Sequence, residues 1–315
     1  MTRTMELLGM NRRNACYILP NNSRKDYPLV DDKLLTKNLL EAHGIPTPKL
    51  YFKITHTSEL KTLRKMGRFK EFVIKPASGA EGRGVLVILN RVGNKWQNAK
   101  GEFLSLEDIA YHISNILAGL FSLGGMSDKA ICEYYVNCPA IFDPISYRGV
   151  PDIRVVMYRG IPVMAMLRLP TKQSGGRANL HQGAIGAGIN ILNGLTIGGV
   201  HKNKLIETHP DTQVPIRGFE IPYWKDILDI AIRTHPIFGL GYVGIDFVID
   251  ADHGPMILEL NARPGLNIQL ANRAGLRPRL EWIDKHSQEP ATLSFDDRLA
   301  LSESMIRACT TNGNK

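Results

Sequence analysis

The sequence predicts an α+β fold built on antiparallel sheets, and three observations carry that prediction. Two strand-type runs, Ile153–Tyr158 and Val163–Arg168, are joined by the tight junction Arg159-Gly160, which reads as a hairpin. A second pair, Tyr242–Asp250 and Pro255–Asn261, is separated by only four turn residues. Helical stretches are interspersed among the strands without the regular strand–helix–strand alternation that a parallel sheet requires.

Taken in order, residues 1–30 carry Pro20, Asn21, Asn22 and Pro28 and read as an irregular basic leader. Asp31-Asp32 then supplies an acidic cap to an apolar-periodic stretch (Leu34, Leu35, Leu39, Leu40) that stops at Gly44 before Pro46, a helix with both ends marked. Leu50–Ile54 reads as a strand, Ser58–Lys65 as a helix and Phe72–Lys75 as a strand. A glycine-rich loop and a strand over Val85–Leu89 follow. Residues 93–102 read as a polar hairpin, Leu106–Phe121 as a helix and Ala130–Val136 as a strand. The glycines of residues 174–200 promise little local order. Trp224–Thr234 reads as a helix, with Trp224 a packing residue, and the chain past residue 288 as a polar, loosely attached tail. The expected organisation is a leader (1–30), an N-terminal lobe (31–130), a C-terminal lobe (131–288) and the tail (289–315).

Composition narrows the function. With 43% apolar and 22% charged residues among 315, the chain has globular composition, which excludes wholesale disorder and collagen-like structure. No apolar run reaches the length of a membrane span and the first residues hold no signal-peptide core, so a cytoplasmic protein with no membrane partner is expected. The four cysteines form no CxxC pair or zinc spacing and are expected to be reduced thiols. No HExxH, GxSxG or Walker motif occurs. The net charge of +9 suits either a solvated basic surface or an anionic partner.

Three segments carry candidate chemistry. In a symmetric hairpin over 242–261, residue 250 pairs with 255, 248 with 257 and 246 with 259. Alternation then puts Asp246, Glu259 and Asn261 on one face, two carboxylates and an amide oxygen of the kind that holds Mg²⁺; the competing reading is an exposed acidic face. In Val73-Ile74-Lys75-Pro76-Ala77-Ser78-Gly79-Ala80-Glu81-Gly82-Arg83-Gly84, a strand-end lysine precedes three glycines whose backbone amides can approach phosphate, although such loops also serve purely structural turns. Asp152-Ile153-Arg154, with Arg168 and Arg177-Ala178-Asn179, offers guanidinium groups for phosphoryl charge, or else a surface ion pair between Asp152 and Arg154.

Together these segments resemble the ATP-grasp superfamily, and within it the proteins akin to the ribosomal-protein glutamate ligase (α-L-glutamate ligase-like), over roughly residues 31 to 285. The resemblance implies two lobes with antiparallel sheets clasping a nucleotide. It implies that Lys33 and Lys75 hold the phosphates, with Gly79, Gly82 and Gly84 in a flexible loop closing over them. Glu133, Tyr134 and Tyr135 resemble the hinge that binds adenine. Asp152 resembles the residue at the ribose side, and Arg177, Ala178 and Asn179 match a segment reaching the nucleotide. Arg154 and Arg168 would face the γ-phosphate and acyl-phosphate, and Asp246, Glu259 and Asn261 would hold two Mg²⁺ ions, with Mn²⁺ an alternative.

The chemistry so implied is ATP-dependent joining of a carboxylate to an amine, an amino acid such as glutamate or a peptide, without a protein nucleophile. Two departures qualify the likeness to the glutamate ligases. Their usual α/β domain ahead of Asp31 is replaced by thirty residues, which implies a missing or rebuilt acceptor wall, and the 186–224 region is longer and closer to ATP-grasp proteins found beside sugar-transfer genes. An ATP-dependent phosphotransferase on the same fold and a basic RNA- or ribosome-binding protein with a vestigial nucleotide site are the competing readings; no DNA partner is expected.

Overall fold

A computed structural model describes residues 6–79, 82–287 and 293–311. The chain divides into two units. The smaller comprises Asp32–Lys37 and Thr47–Val136, the larger Met1–Asp31, Asn38–Pro46 and Asn137–Lys315.

The smaller unit is built on a six-stranded antiparallel sheet: β1 (Leu50–Ile54), β2 (Phe72–Pro76), β3 (Leu86–Val92), β4 (Lys95–Asn98), β5 (Phe103–Leu104) and β6 (Ala130–Glu133), in the order β1-β6-β2-β3-β4-β5. Phe72, Ile74, Ile88 and Ile54 are fully buried in its core. The helix Leu106–Leu117 starts where Ser105 and Asp108 cap each other reciprocally, and its Ile109, Ile113 and Ile116, at helical spacing, complete that core. The helix expected over Ser58–Lys65 is a 3₁₀ helix, Thr57–Arg68.

The larger unit holds seven antiparallel strands: β7 (Asp152–Tyr158), β8 (Ile161–Leu169), β9 (Ile185–Ile189), β10 (Thr196–His201), β11 (Lys204–Ile206), β12 (Tyr242–Asp250) and β13 (Gly254–Asn261), in the order β11-β10-β9-β8-β7-β12-β13. Every residue of β7 and β12 is buried, so both faces of the sheet's middle are covered. The helix Trp224–Phe238 contributes Ile227, Leu228, Ile230 and Ala231 to this core and ends at Gly239, whose φ of 63° suits glycine.

Three expectations are corrected here. The glycine-rich stretch is ordered, because β9 and β10 run through it. A Cβ on Gly188 would stand 2.4 Å from the Ala271 carbonyl oxygen, so the missing side chain is what lets residues 268–272 lie on the sheet. The leader is not an irregular appendage. Leu8, Tyr17 and Ile18 are buried in the core, and the Asn22 side chain both accepts from Tyr242 N (2.8 Å) and donates to Tyr242 O (2.7 Å). Nor is the tail loose: Phe295–Thr311 is a helix whose Met305 is fully buried and whose Ser302 hydroxyl donates to Pro162 O at 2.6 Å. A few apolar residues at helical spacing, diluted by polar ones, make these contacts.

Candidate functional site

The β12–β13 hairpin turns more tightly than expected. Asp250 pairs with Gly254 and Val248 with Met256, one residue off the symmetric register. A β-bulge then absorbs one extra residue of β13, and Asp246 meets Glu259 after all. Gly244 faces Asn261. The turn is fixed by the buried Asp250 carboxylate, which accepts from Asp252 N, His253 N and Asn137 N. The bulge is the device that returns Glu259 to the face of Asp246.

On that face the charged groups interlock. Asp246, fully buried, accepts from Arg154 Nε (2.7 Å) and Arg154 Nη2 (2.5 Å), and from Arg168 Nη2 (2.7 Å). Arg168 also grips Asp152 through two hydrogen bonds. Asp152 therefore pairs with Arg168, not with Arg154, and the group is buried instead of forming a surface ion pair. Backbone register explains it: Asp152 faces Arg168 across β7–β8, and Asp246 faces Arg154 across β12–β7. Burial raises the Asp246 carboxyl, but the two guanidinium groups outweigh it and hold it well below the usual carboxylate range. For Asp152 burial wins over Arg168, aided by the Asp246 charge, and its carboxyl is pushed up to about 7. Two carboxylates on one face are thus driven apart by their surroundings.

The Asn261 amide nitrogen lies 3.1 Å from Asp246 Oδ2 and 3.4 Å from Glu259 Oε1. An electropositive group already bridges the two carboxylates. Turning the amide end for end presents its oxygen there, which gives the all-oxygen donor set that Mg²⁺ prefers. The three residues fit a magnesium ion. Among the described residues no group of three or more His, Cys, Asp or Glu converges anywhere.

In the smaller unit, Lys33 Nζ donates to Gly79 O at 2.6 Å, joining the first predicted lysine to the glycine-rich loop. Its helix, Lys33–Ala42, is capped by Asp32, which accepts from Leu34 N and Leu35 N. Gly82 and Gly84 have φ of 72° and 73°, and a Cβ on Gly84 would collide with Phe121, so glycine is required there on both counts. Residues 80 and 81 of the predicted loop lie outside the described residues.

Lys75, at the end of β2, is paired with Glu133 of β6, and Glu133 also meets Lys37 Nζ at 3.3 Å. All three are buried. The Glu133 side chain is thus a counter-ion for two lysines, and the Tyr134 N–H donates to Lys49 O at 2.8 Å; Tyr135 follows it in the chain. Lys37 is a residue that sequence reasoning missed. It stands one helical turn after Lys33 and closes the run Asp31-Asp32-Lys33-Leu34-Leu35-Thr36-Lys37, and the i, i+4 spacing is a signal for it.

Arg177, Ala178 and Asn179 do not join the Asp246 group. Arg177 donates to Gln182, and the Asn179 side chain accepts from His181 N at 2.9 Å, a local turn cap. Trp224 packs, with its ring against Gly194 and its Nε1 donating to Ile191 O.

Two antiparallel sheets, one with a strand-end lysine leading into a glycine-rich loop and the other with carboxylates on a hairpin, have the layout of the ATP-grasp fold. The chain belongs to the sugar-transfer associated ATP-grasp family, whose pattern matches residues 12–285. The match begins inside the segment that reads as a leader. A probable alpha-L-glutamate ligase of Pseudomonas putida (strain GB-1) is 25% identical over 236 residues, which are 75% of this chain and 56% of that protein. A second, from Pseudomonas savastanoi pv. phaseolicola, is 23% identical over 90% of this chain and 71% of its own length. The chain thus spans little more than half the length of the first of these relatives. The D-alanine–D-alanine ligase of Bacillus anthracis complexed with ATP aligns over 91% of this chain and 69% of its own, at 15% identity and a TM-score of 0.42. Among the described residues no helix is long and apolar enough to cross a membrane.

Proposed function

We propose that this chain is an ATP-dependent carboxylate–amine ligase. The observation that carries the reading is the convergence of Asp246, Glu259 and Asn261 on one face of the larger unit, beside the buried Arg154 and the part-buried Arg168. In this reading Lys33 and Lys75 take nucleotide phosphates, Glu133 and Lys37 set the charge of Lys75, and the residues after Glu133 contribute backbone to the adenine side. Asp246, Glu259 and Asn261 hold magnesium. Bound there, the ion neutralises phosphate charge.

A substrate carboxylate oxygen attacks the γ-phosphorus and ADP leaves, giving an acyl-phosphate. The amine nitrogen then attacks the acyl carbon, the C–O bond to phosphate breaks, and the amide forms with loss of one proton from nitrogen. In this reading Arg154 and Arg168 receive the negative charge that develops on the transferred group. Their present partners, Asp246 and Asp152, keep both guanidinium groups fixed and oriented. Glutamate as the amine donor is the first candidate, supported by the names of the distant Pseudomonas relatives.

The test is a screen of amino acids and carboxylates for phosphate release from ATP with Mg²⁺, followed by mass spectrometry of the product. A product heavier than the carboxylate by the amine less water supports ligation; one heavier by a phosphoryl group makes the chain a phosphotransferase. The same release from Asp246→Asn would remove the metal assignment.

A further inference from the structure

The N-terminal segment, at the start of the stretch matched by the family pattern, carries a feature that the proposed chemistry leaves unused. Arg13 is only 7% exposed, yet among the described residues no carboxylate pairs with its guanidinium. Its hydrogen bonds go to neutral acceptors, Asn14 Oδ1 (3.1 and 2.9 Å) and Pro264 O (2.7 Å). A buried cation without a counter-charge is costly, and proteins nearly always pair one. A second cation, Arg263, precedes Pro264 in the chain and lies over the Tyr27 ring at 4.9 Å. The neighbouring Tyr242 hydroxyl is fully buried and has no hydrogen-bond partner. Arg13 loses basicity through burial, and the Arg263 charge adds to that loss. Two cations and an unsatisfied hydroxyl therefore gather where, among the described residues, no carboxylate pairs with them.

The place is connected to the candidate centre. Tyr242, Gly244 and Asp246 alternate onto one face of β12, so Tyr242 is about 13 Å along the strand from Asp246. Gly244, between them, has no side chain, and a Cβ there would stand 2.7 Å from the Pro264 ring and 3.8 Å from Arg154 Nε. The carbonyl that Arg13 holds thus belongs to the residue that fills the gap beside Arg154. Arg13 also opens a π-helix, Arg13–Ile18, a rare conformation that recurs at functional sites. Arg298, also buried, donates to Gly160 O, and the part-buried Arg279 donates to Val163 O, contacts that tie helices to the β7–β8 hairpin.

We infer that Arg13 and Arg263 form a carboxylate-binding subsite, which anchors a remote carboxylate of the substrate whose other end reacts near Asp246. The inference rests on the ligase reading for its purpose but not for its chemistry. It makes the N-terminal segment part of the substrate wall.

The experiment measures binding of glutarate and of its uncharged analogue glutaramide to the full chain by calorimetry at fixed ionic strength, with binding of ATP and Mg²⁺ measured separately. Glutarate should bind and glutaramide should not. Arg263→Gln, at an exposed position, and Arg13→Gln should each weaken glutarate at least tenfold and leave ATP binding unchanged, and Arg13→Lys should recover part of the loss. A merely structural Arg13 would lower the melting temperature without separating glutarate from glutaramide. Failure of the wild-type chain to bind glutarate, or equal affinity in wild type and Arg263→Gln, overturns the subsite. Glutarate binding that depends on the two arginines in a chain that does not bind ATP would keep the subsite and remove the ligase reading.

Discussion

At the scale of single residues, the buried charges decide what each substitution does. Asp246 satisfies two guanidinium groups, so Asp246→Asn removes a candidate metal ligand and leaves Arg154 and Arg168 undercompensated in the same step. Breaking one side of such a buried group costs about 3–5 kcal/mol. The expected outcome is a clear drop in the urea midpoint together with loss of Mg²⁺-dependent phosphate release. Glu259→Gln, at a part-buried position where Asp246 is fully buried, should lose the activity while keeping more of the stability. In the smaller unit, Lys37→Met leaves Glu133 to neutralise Lys75 alone. Less positive charge then remains for phosphate, and KM for ATP should rise by about tenfold or more, an amount corresponding to roughly 1.4 kcal/mol. Glu133→Gln should instead lower the melting temperature, because two buried lysines are left facing each other. Of these groups, alternation along β12 and β13 makes Asp246, Glu259 and Asn261 legible in the sequence. The partnership of Asp152 with Arg168 was not, because it depends on which residues two strands bring opposite each other.

Among the elements, the hairpin shows how near a sequence reading comes and why it stops. Two strand-type runs with a short turn specify the β12–β13 pair. The turn holds three residues instead of four, because the Asp250 carboxylate collects the turn's amide hydrogens, and the bulge near Leu258 repays the shift. Turn length and bulge are set by local hydrogen bonds that no apolar pattern records. The same limit applies to β9 and β10, where glycines read as disorder because their use is to admit a neighbouring backbone. Gly188→Ala places a methyl group against the Ala271 carbonyl and should destabilise the larger unit by about 1–3 kcal/mol, measured by urea unfolding. The carboxy-terminal helix is predicted to matter equally: Ser302→Ala removes the hydroxyl that satisfies Pro162 O and should cost about 1 kcal/mol in the same assay.

For the whole molecule, the fold class and the resemblance were readable from the order of motifs, while the roles of the first and last segments were not, since both look polar and both bury only a few apolar side chains. Their docking has a pH consequence. His235, on the helix Trp224–Phe238, is pushed down to about 4, first by burial and then by the Arg298 charge from the terminal helix. Folding therefore holds this imidazole neutral where the unfolded chain protonates it near 6.5. The contribution is intact above that value and is lost as pH falls toward 4, by about 3 kcal/mol at most. His235→Asn, which cannot titrate, should gain stability relative to wild type across that window in urea titrations at pH 7, 5.5 and 4; equal slopes would show that the imidazole is not held neutral.

The most direct measurement of the central claim is the mass of the product formed from ATP, an amino acid and a carboxylate in the presence of Mg²⁺. An amide made with one phosphate released per bond, absent without the ion and absent in Glu259→Gln, is the predicted result. Amide formation that persists in Glu259→Gln and Asp246→Asn would contradict it.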